Sequence, residues 1–394
     1  MRNRAGLREK LRGAVTWMKG SVNALLSPSA FPWIISLNLA YLATKMSAQF
    51  GNDAWLSHLY LEYLVDYEFG FVRRGLVAQL FSSCLGTFGY LEISIFGMLL
   101  IVLTFVSYWL FNARACSRRT LRLALAAITI ASPCLFKNWT HELTRLDIFG
   151  ILAGLCVLSA PVTRFYVPLV AVICSCLILI HEAQFLVFVP AIIGICALRL
   201  HCSGSRWHRG VLIAGVVGGL IVLATFWLVV REGNADVPPS VLWAYVQSKA
   251  VDPVVDRVFI WYSKPSENMS AAAEAELLWQ QLLNVPDYLL LLLLHLPLFI
   301  YIVSMTKRLD ATGRGIILGT TAVVTTGALI MIAISHDRAR WFSNLVACSV
   351  LLAHAIAAER AESKTGRTVL ESAASVAALW IMTVIPKGGT LTPL

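Results

Sequence analysis

The sequence predicts an all-α, polytopic integral membrane protein of about eleven transmembrane helices, with interfacial helices in its outer loops. Three observations carry that expectation. Of 394 residues, 58% are hydrophobic and only 14% charged, with a mean hydropathy of +0.73, more apolar surface than a soluble domain can hide. The apolar runs are continuous for roughly 17 to 22 residues, well beyond the roughly 10 of a barrel strand, which excludes a transmembrane β-barrel. Lysine and arginine also fall in alternate loops, as the positive-inside rule requires of a multi-pass chain.

In chain order, residues 1–30 carry Arg2, Arg4, Arg8, Lys10, Arg12 and Lys19 against Glu9. This reads as a cytoplasmic amphipathic start at the membrane surface rather than a cleaved signal peptide, because the basic region is long and the next apolar run is membrane-length. Residues 31–394 form a single transmembrane domain, with spans at about 31–47, 91–111, 120–136, 147–163, 165–181, 184–200, 211–230, 286–305, 315–334, 342–358 and 369–386. The connections at Arg164 and His181 are so short that either pair also reads as one re-entrant hairpin. Two outer loops are long. Loop 48–90 holds two amphipathic stretches, Trp55 to Leu64 and Phe71 to Leu80. Loop 231–285 opens on Asp236-Val-Pro-Pro239, contains Val255 to Tyr262 and ends in an Ala/Glu/Leu-rich helix, Ala271 to Leu283. It is too small for an independent domain and reads as a cap over the membrane face.

With the N-terminus cytoplasmic, the inner side holds roughly 20 basic and 5 acidic residues and the outer side roughly 12 and 17. The net charge of +10 therefore marks topology and contact with anionic membrane lipid, and no nucleic-acid partner is expected. The nine cysteines are scattered, mostly within apolar runs, with no zinc or disulfide spacing, and read as small core residues.

That topology delivers five charged clusters to the outer side: Asp66/Glu68/Arg73/Arg74, His141/Glu142/Arg145/Asp147, His181/Glu182, Asp252/Asp256/Arg257 and His336/Asp337/Arg340/Trp341. Ionisable groups near hydrocarbon persist where they pair or line a polar cavity. Arginine offers phosphate a planar fork, and a carboxylate can take the proton of an acceptor hydroxyl. A substrate that is part isoprenoid, part phosphate and part sugar needs both, with an apolar groove below. The bland alternative makes Asp66–Arg73, Glu142–Arg145 and Asp337–Arg340 ion pairs that staple loops, and His181-Glu182 a snorkelling hairpin tip. His295, just before Pro297, reads as a satisfied residue at a helix kink. No phosphate-cradling glycine loop, zinc-binding helix or nucleophile elbow is present. The acids leave a divalent metal possible as cofactor without fixing a site.

These residues resemble the GT-C class of integral-membrane glycosyltransferases. Acidic residues in a long first outer loop (Asp66, Glu68) are similar to that class's catalytic carboxylate. Arg145-Leu-Asp147 running into a helix is similar to its second acidic site. His336-Asp-Arg-Ala-Arg340-Trp341 is similar to the His-Lys-Glu-x-Arg-Phe motif of the lipid-linked mannosyltransferase branch, matching at His336, Arg340 and Trp341. Two departures stand out: the acid does not directly follow the first helix, and position 338 is Arg instead of Glu. The resemblance implies a polyprenyl-phosphate-linked sugar donor and a glycan or lipid acceptor. Asp66, or else Glu68, would be the catalytic base. Arg73, Arg74 and Arg340 would hold phosphate, while His141, Glu142, Asp147 and His336 would shape the sugar site and Arg145, His181, Glu182, Arg257, Asp337 and Trp341 would line it. Helix number, arginine-bearing outer loops and one large late loop are similar to polysaccharide polymerases and ligases of the O-antigen type. A transporter or flippase for an anionic lipid or solute is the non-enzymatic alternative. The expected setting is a bacterial inner membrane.

Overall fold

The structure, a computed structural model, describes residues 20–50, 53–204, 209–233, 237–254, 285–334, 338–359 and 368–386. It is an all-α, multi-pass membrane protein, with no strand among the described residues. Among the described residues, fifteen α-helices follow in chain order. They are α1 Phe31–Gln49, α2 Asp53–Leu64, α3 Gly75–Leu85, α4 Tyr90–Ala115 and α5 Arg119–Ala131. Next come α6 Phe136–His141, α7 Ile148–Ser159, α8 Tyr166–Ile180, α9 Phe188–Cys202 and α10 Arg209–Glu232. The chain ends with α11 Pro239–Lys249, α12 Val285–Thr306, α13 Ala311–Ile334, α14 Arg338–Glu359 and α15 Ala373–Val384.

Every expected span has its helix, but their lengths divide them. Among the described residues, seven segments are long and apolar enough to cross a bilayer: 90–115, 119–141, 182–202, 209–232, 286–306, 311–333 and 338–359. Helices α7, α8 and α15 have 12, 15 and 12 residues, about 18 to 23 Å at 1.5 Å per residue, short of the roughly 30 Å hydrocarbon core. Segment 119–141 is itself broken. Pro133 has no N–H and disfavours helix in the residue before it, so α5 stops at Ala131 and α6 starts at Phe136. Such a break survives at membrane depth only where protein covers it, and Ser132, Cys134 and Leu135 are fully buried. His295 of α12 closes the gap. Its Nε2 lies 2.8 Å from the Ser132 hydroxyl and its Nδ1 2.7 Å from the Leu291 carbonyl, the satisfied state expected of it.

Helix α14 is the central rod, with 89% of its most apolar stretch buried, and it packs against α4, α7, α9, α12 and α13. Its Ala- and Ser-rich surface allows that crowding, since small side chains let membrane helices approach closely. Helix α10 is the opposite case: it packs on α8 and leaves most of its length outward. The alternation of helices sorts the loops to two ends. Arg118, Arg164, Arg199 and Lys307 mark a basic end, where Arg118 pairs with Glu371 at 2.5 Å and Arg199 lies 3.5 Å from Glu359. The other end carries α2, α3, α11 and the mixed charges.

At that mixed end a second apolar core sits under α2, α3 and α11, built on Tyr60, Tyr63, Val77, Phe81, Leu242 and Val246. The expected interfacial helices correspond to α2 and α3, but α3 begins at Gly75 rather than Phe71. Arg74 adopts a left-handed backbone (φ 63°) just before it, which stops a helix from extending backwards. The stretches Val255 to Tyr262 and Ala271 to Leu283 lie outside the described residues. Of the cysteines, Cys116, Cys134, Cys174, Cys196 and Cys348 are buried, whereas Cys84, Cys156, Cys176 and Cys202 are exposed and so are not core residues.

Candidate functional site

Four stretches far apart in sequence converge at the mixed end. The loop into α3 brings Arg74, the loop into α7 brings Asp147, the turn after α8 brings His181 and Glu182, and the first turns of α14 bring Arg340, Trp341 and Asn344. Each delivery has a local cause. The 141–147 loop lies directly on α4 because Gly97 has no side chain to collide with the Leu143 carbonyl. The Tyr63 hydroxyl donates to the Thr144 carbonyl at 2.7 Å, tying the same loop to α2. After α8, the His181 ring caps the following turn, its Nδ1 accepting the Ala183 N–H at 3.2 Å.

The charges interlock. Arg74 donates to Glu182 through Nε at 3.1 Å and Nη2 at 2.9 Å, and to Glu62 of α2 through Nη1 at 3.1 Å. Arg340 donates from Nε to Asp147 at 2.5 Å, and Asn344 donates to the other Asp147 oxygen at 3.0 Å. Arg145 pairs with Glu142 at 2.5 Å, as expected. Trp341 meets the His181 ring edge-on, with centroids 6.2 Å apart. Glu182 lies 3.7 Å from His181 Nδ1, yet that nitrogen already accepts a backbone N–H and so carries no proton for an ion pair. The ring is therefore neutral, with its proton on Nε2.

Glu62 is the group that sequence reasoning missed. It is 1% exposed, and its Oε2 has no hydrogen-bond partner among the described residues. Burial pushes its carboxyl pKa up, Arg74 and Arg340 oppose that rise, and Asp147 and Glu182 add to it. A carboxyl held up in this way, with one oxygen bare, suits proton transfer. The available signal was a lone acid in the amphipathic stretch Trp55 to Leu64, at a position indistinguishable from a solvated helix face.

Asp66 occupies a different place from its expected partners. Its Oδ1 accepts the Glu68 N–H at 3.2 Å and the Tyr245 hydroxyl at 2.7 Å, while Oδ2 accepts from Ser82 and Lys249. Its partner is thus Lys249 of α11, not Arg73, and the pair fastens α11 to the loop after α2 and, through Ser82, to the last turns of α3. Burial raises the Asp66 pKa, but the bonds from Lys249, Ser82, Tyr245 and the Glu68 N–H outweigh it and hold the carboxyl below its ordinary range. Glu68 is exposed. Arg73 donates its backbone N–H to the Gly233 carbonyl at 2.9 Å. His141 turns away toward α1, its Nε2 3.1 Å from the Tyr41 hydroxyl. Arg257, His336 and Asp337 lie outside the described residues, so the expected Asp337–Arg340 pair does too; Arg340 is bound to Asp147.

An apolar groove of about 870 Å³ starts at Phe185 and Leu186, directly after Glu182, and runs between α9, α10 and α13 toward Ala197 and Gly315. Gly219 and Gly319 leave its floor open, and Gly327 lets α13 rest against the Leu186 carbonyl where a side chain would collide. Glu182 of the charged cluster thus stands three residues before the end of a hydrocarbon-lined slot, whose own lining carries no charged side chain. Among the described residues, no three His, Cys, Asp or Glu side chains stand close enough together to hold a metal ion.

No family model matches the chain, and the comparisons find neither a similar curated protein nor a similar solved structure.

Proposed function

We propose that the chain is a membrane glycosyltransferase that moves a sugar from a polyprenyl-(di)phosphate carrier to a glycan or lipid acceptor. The observation that carries this reading is the placement of the Arg74–Glu62–Glu182 and Arg340–Asp147 cluster at the head of the apolar groove. An isoprenoid tail fits the groove, a phosphate fits the arginine-rich head, and a sugar between them would face carboxylates.

In this reading Glu62 takes the proton of the acceptor hydroxyl as its oxygen bonds to the sugar's anomeric carbon. The bond from that carbon to the carrier phosphate breaks, and the phosphate leaves with the electron pair. Asp66 anchors α11 beside the site rather than reacting, which departs from the role the family resemblance implies for it. The N-terminus is cytoplasmic and the site faces outward across a bacterial inner membrane, in keeping with the basic residues gathered at the opposite end. A second reading, movement of the same anionic lipid across the bilayer, is favoured by the closed ion-pair network at the groove head, of the kind alternating-access devices open and close.

The test is sugar transfer from a labelled polyprenyl-phosphate donor by the purified chain in proteoliposomes. Labelled glycan product supports the enzyme. Lipid movement between leaflets with no product, over a panel of donors, favours the transporter.

A further inference from the structure

Three N–H groups around the charged cluster are buried and have no acceptor among the described residues: Arg338 Nε, Trp341 Nε1 and His181 Nε2. His181 and Trp341 are 1% and 4% exposed. Leaving one such donor unmatched costs about 1 to 3 kcal/mol, so a group of them calls for an explanation. That His181 Nε2 is a donor follows from the backbone N–H of Ala183 occupying Nδ1. Arg338 and Trp341 are three residues apart on α14 and so share its face. They belong to the first turn of a 22-residue helix, whose N-terminus carries partial positive charge and unpaired backbone N–H groups. Trp341 is in edge contact with the His181 ring, and Arg340 neighbours both.

Three unmatched donors, the arginine charges beside them and a helix start together select a compact acceptor with several oxygens and negative charge. A neutral hydroxyl or amide would satisfy one donor and leave the rest. The groove opening at Phe185 and Leu186 adds that such an anion can carry a long apolar chain. We infer that Arg338, Trp341 and His181 form an oxyanion pocket that binds a phosphate group, at the head of the groove that receives its hydrocarbon chain. The inference rests on the proposed transfer reaction for its place in a mechanism, where the pocket would stabilise the departing phosphate. As a binding site it stands on the donors alone.

Three substitutions remove a donor while keeping what else the side chain does. Trp341→Phe keeps an aromatic ring. His181→Asn keeps an acceptor for the Ala183 N–H and loses Nε2–H. Arg338→Lys keeps the charge and loses the planar Nε–H. The full chain, in detergent, is titrated with farnesyl phosphate, farnesol and inorganic phosphate, with binding read by native mass spectrometry and folding by thermal melting. Farnesyl phosphate should bind at least about tenfold tighter than farnesol, and each variant should lose about tenfold in that affinity with little change in farnesol binding. Inorganic phosphate competing as well as farnesyl phosphate would support the pocket and assign it to a free anion; weak competition would support it and assign it to a lipid headgroup. Equal binding of farnesol and farnesyl phosphate, or wild-type affinity in well-folded Trp341→Phe and His181→Asn, would overturn the pocket. Sugar transfer with no sensitivity to these variants would overturn it while leaving the enzyme intact. Variant-sensitive phosphate binding without sugar transfer would do the reverse.

Discussion

Arg74 grips Glu182 with two N–H···O bonds, 3.1 and 2.9 Å long, across 108 residues of sequence. The same guanidinium reaches Glu62 at 3.1 Å, so one side chain ties α2, the start of α3 and the turn after α8 into a single polar layer. Buried charges of this kind are costly unless each finds its partner. Arg74 does so from a left-handed backbone conformation that a non-glycine residue adopts at a cost of about 1 kcal/mol. Strain held in place by a two-carboxylate clamp is expected where position matters more than stability.

Arg74→Ala should therefore destabilise the fold by about 3 to 5 kcal/mol, because it leaves Glu62 buried and unpaired and takes the arginine from the half-buried Glu182. Arg74→Lys should recover only part of that loss, since an ammonium cannot reproduce the parallel pair to Glu182. Unfolding of the detergent-solubilised chain, followed by circular dichroism, measures both. Equal stability of wild type and Arg74→Ala would contradict the clamp.

The Asp66–Lys249 junction gives a pH signature. The folded-state pKa of Asp66 lies below its unfolded value of about 3.9. Its contribution is therefore fully present above that value and is lost as pH falls through the folded pKa. The wild type should lose stability from about pH 4 downward, and Asp66→Asn should lack that part of the decline. The variant should also be less stable at pH 7, by about 3 kcal/mol, as Lys249 loses its charged partner. Melting curves between pH 7 and pH 3 test both halves.

Lys137 offers a purely structural test. It is fully buried, and its Nζ donates to the carbonyls of Met382, Thr383 and Ile385 at 2.7, 3.1 and 2.9 Å, capping the last turn of α15. Lys137→Met should strand those carbonyls and cost about 2 to 4 kcal/mol. Hydrogen exchange should report earlier opening of α15, with α14 unaffected.

Much of this arrangement could be seen in the chain before its structure. Hydrophobic run lengths place each expected span, alternating basic loops sort the ends, and residue type marks Arg74, Asp147, Glu182 and Arg340 as a group, because mixed charge beside hydrocarbon has few other uses. Partners were harder to see. Arg74 and Asp66 stand eight residues apart in one charged patch, yet Arg74 points to Glu182 and Asp66 to Lys249. Which way each turns depends on the left-handed residue at 74 and the docking of α11, and neither leaves a local signature. Glu62 was hidden for the same reason. A single acid in an amphipathic helix looks solvated until α3 and the turn after α8 close over it. The break after Ala131 interrupts the single span expected at about 120–136, although Pro133 carried its signal, whereas the unaccepted N–H groups of His181 and Trp341 exist only once both rings are packed.

The central claim is that Glu62 takes the acceptor's proton at the head of a lipid-lined groove. The direct measurement is the single-turnover rate of sugar transfer by Glu62→Gln in proteoliposomes, alongside wild type. Glutamine keeps the shape and an acceptor for Arg74 but cannot take a proton, so the rate should fall by about 10² to 10⁴ while donor binding and folding persist. A folded Glu62→Gln that transfers sugar at the wild-type rate would contradict the account.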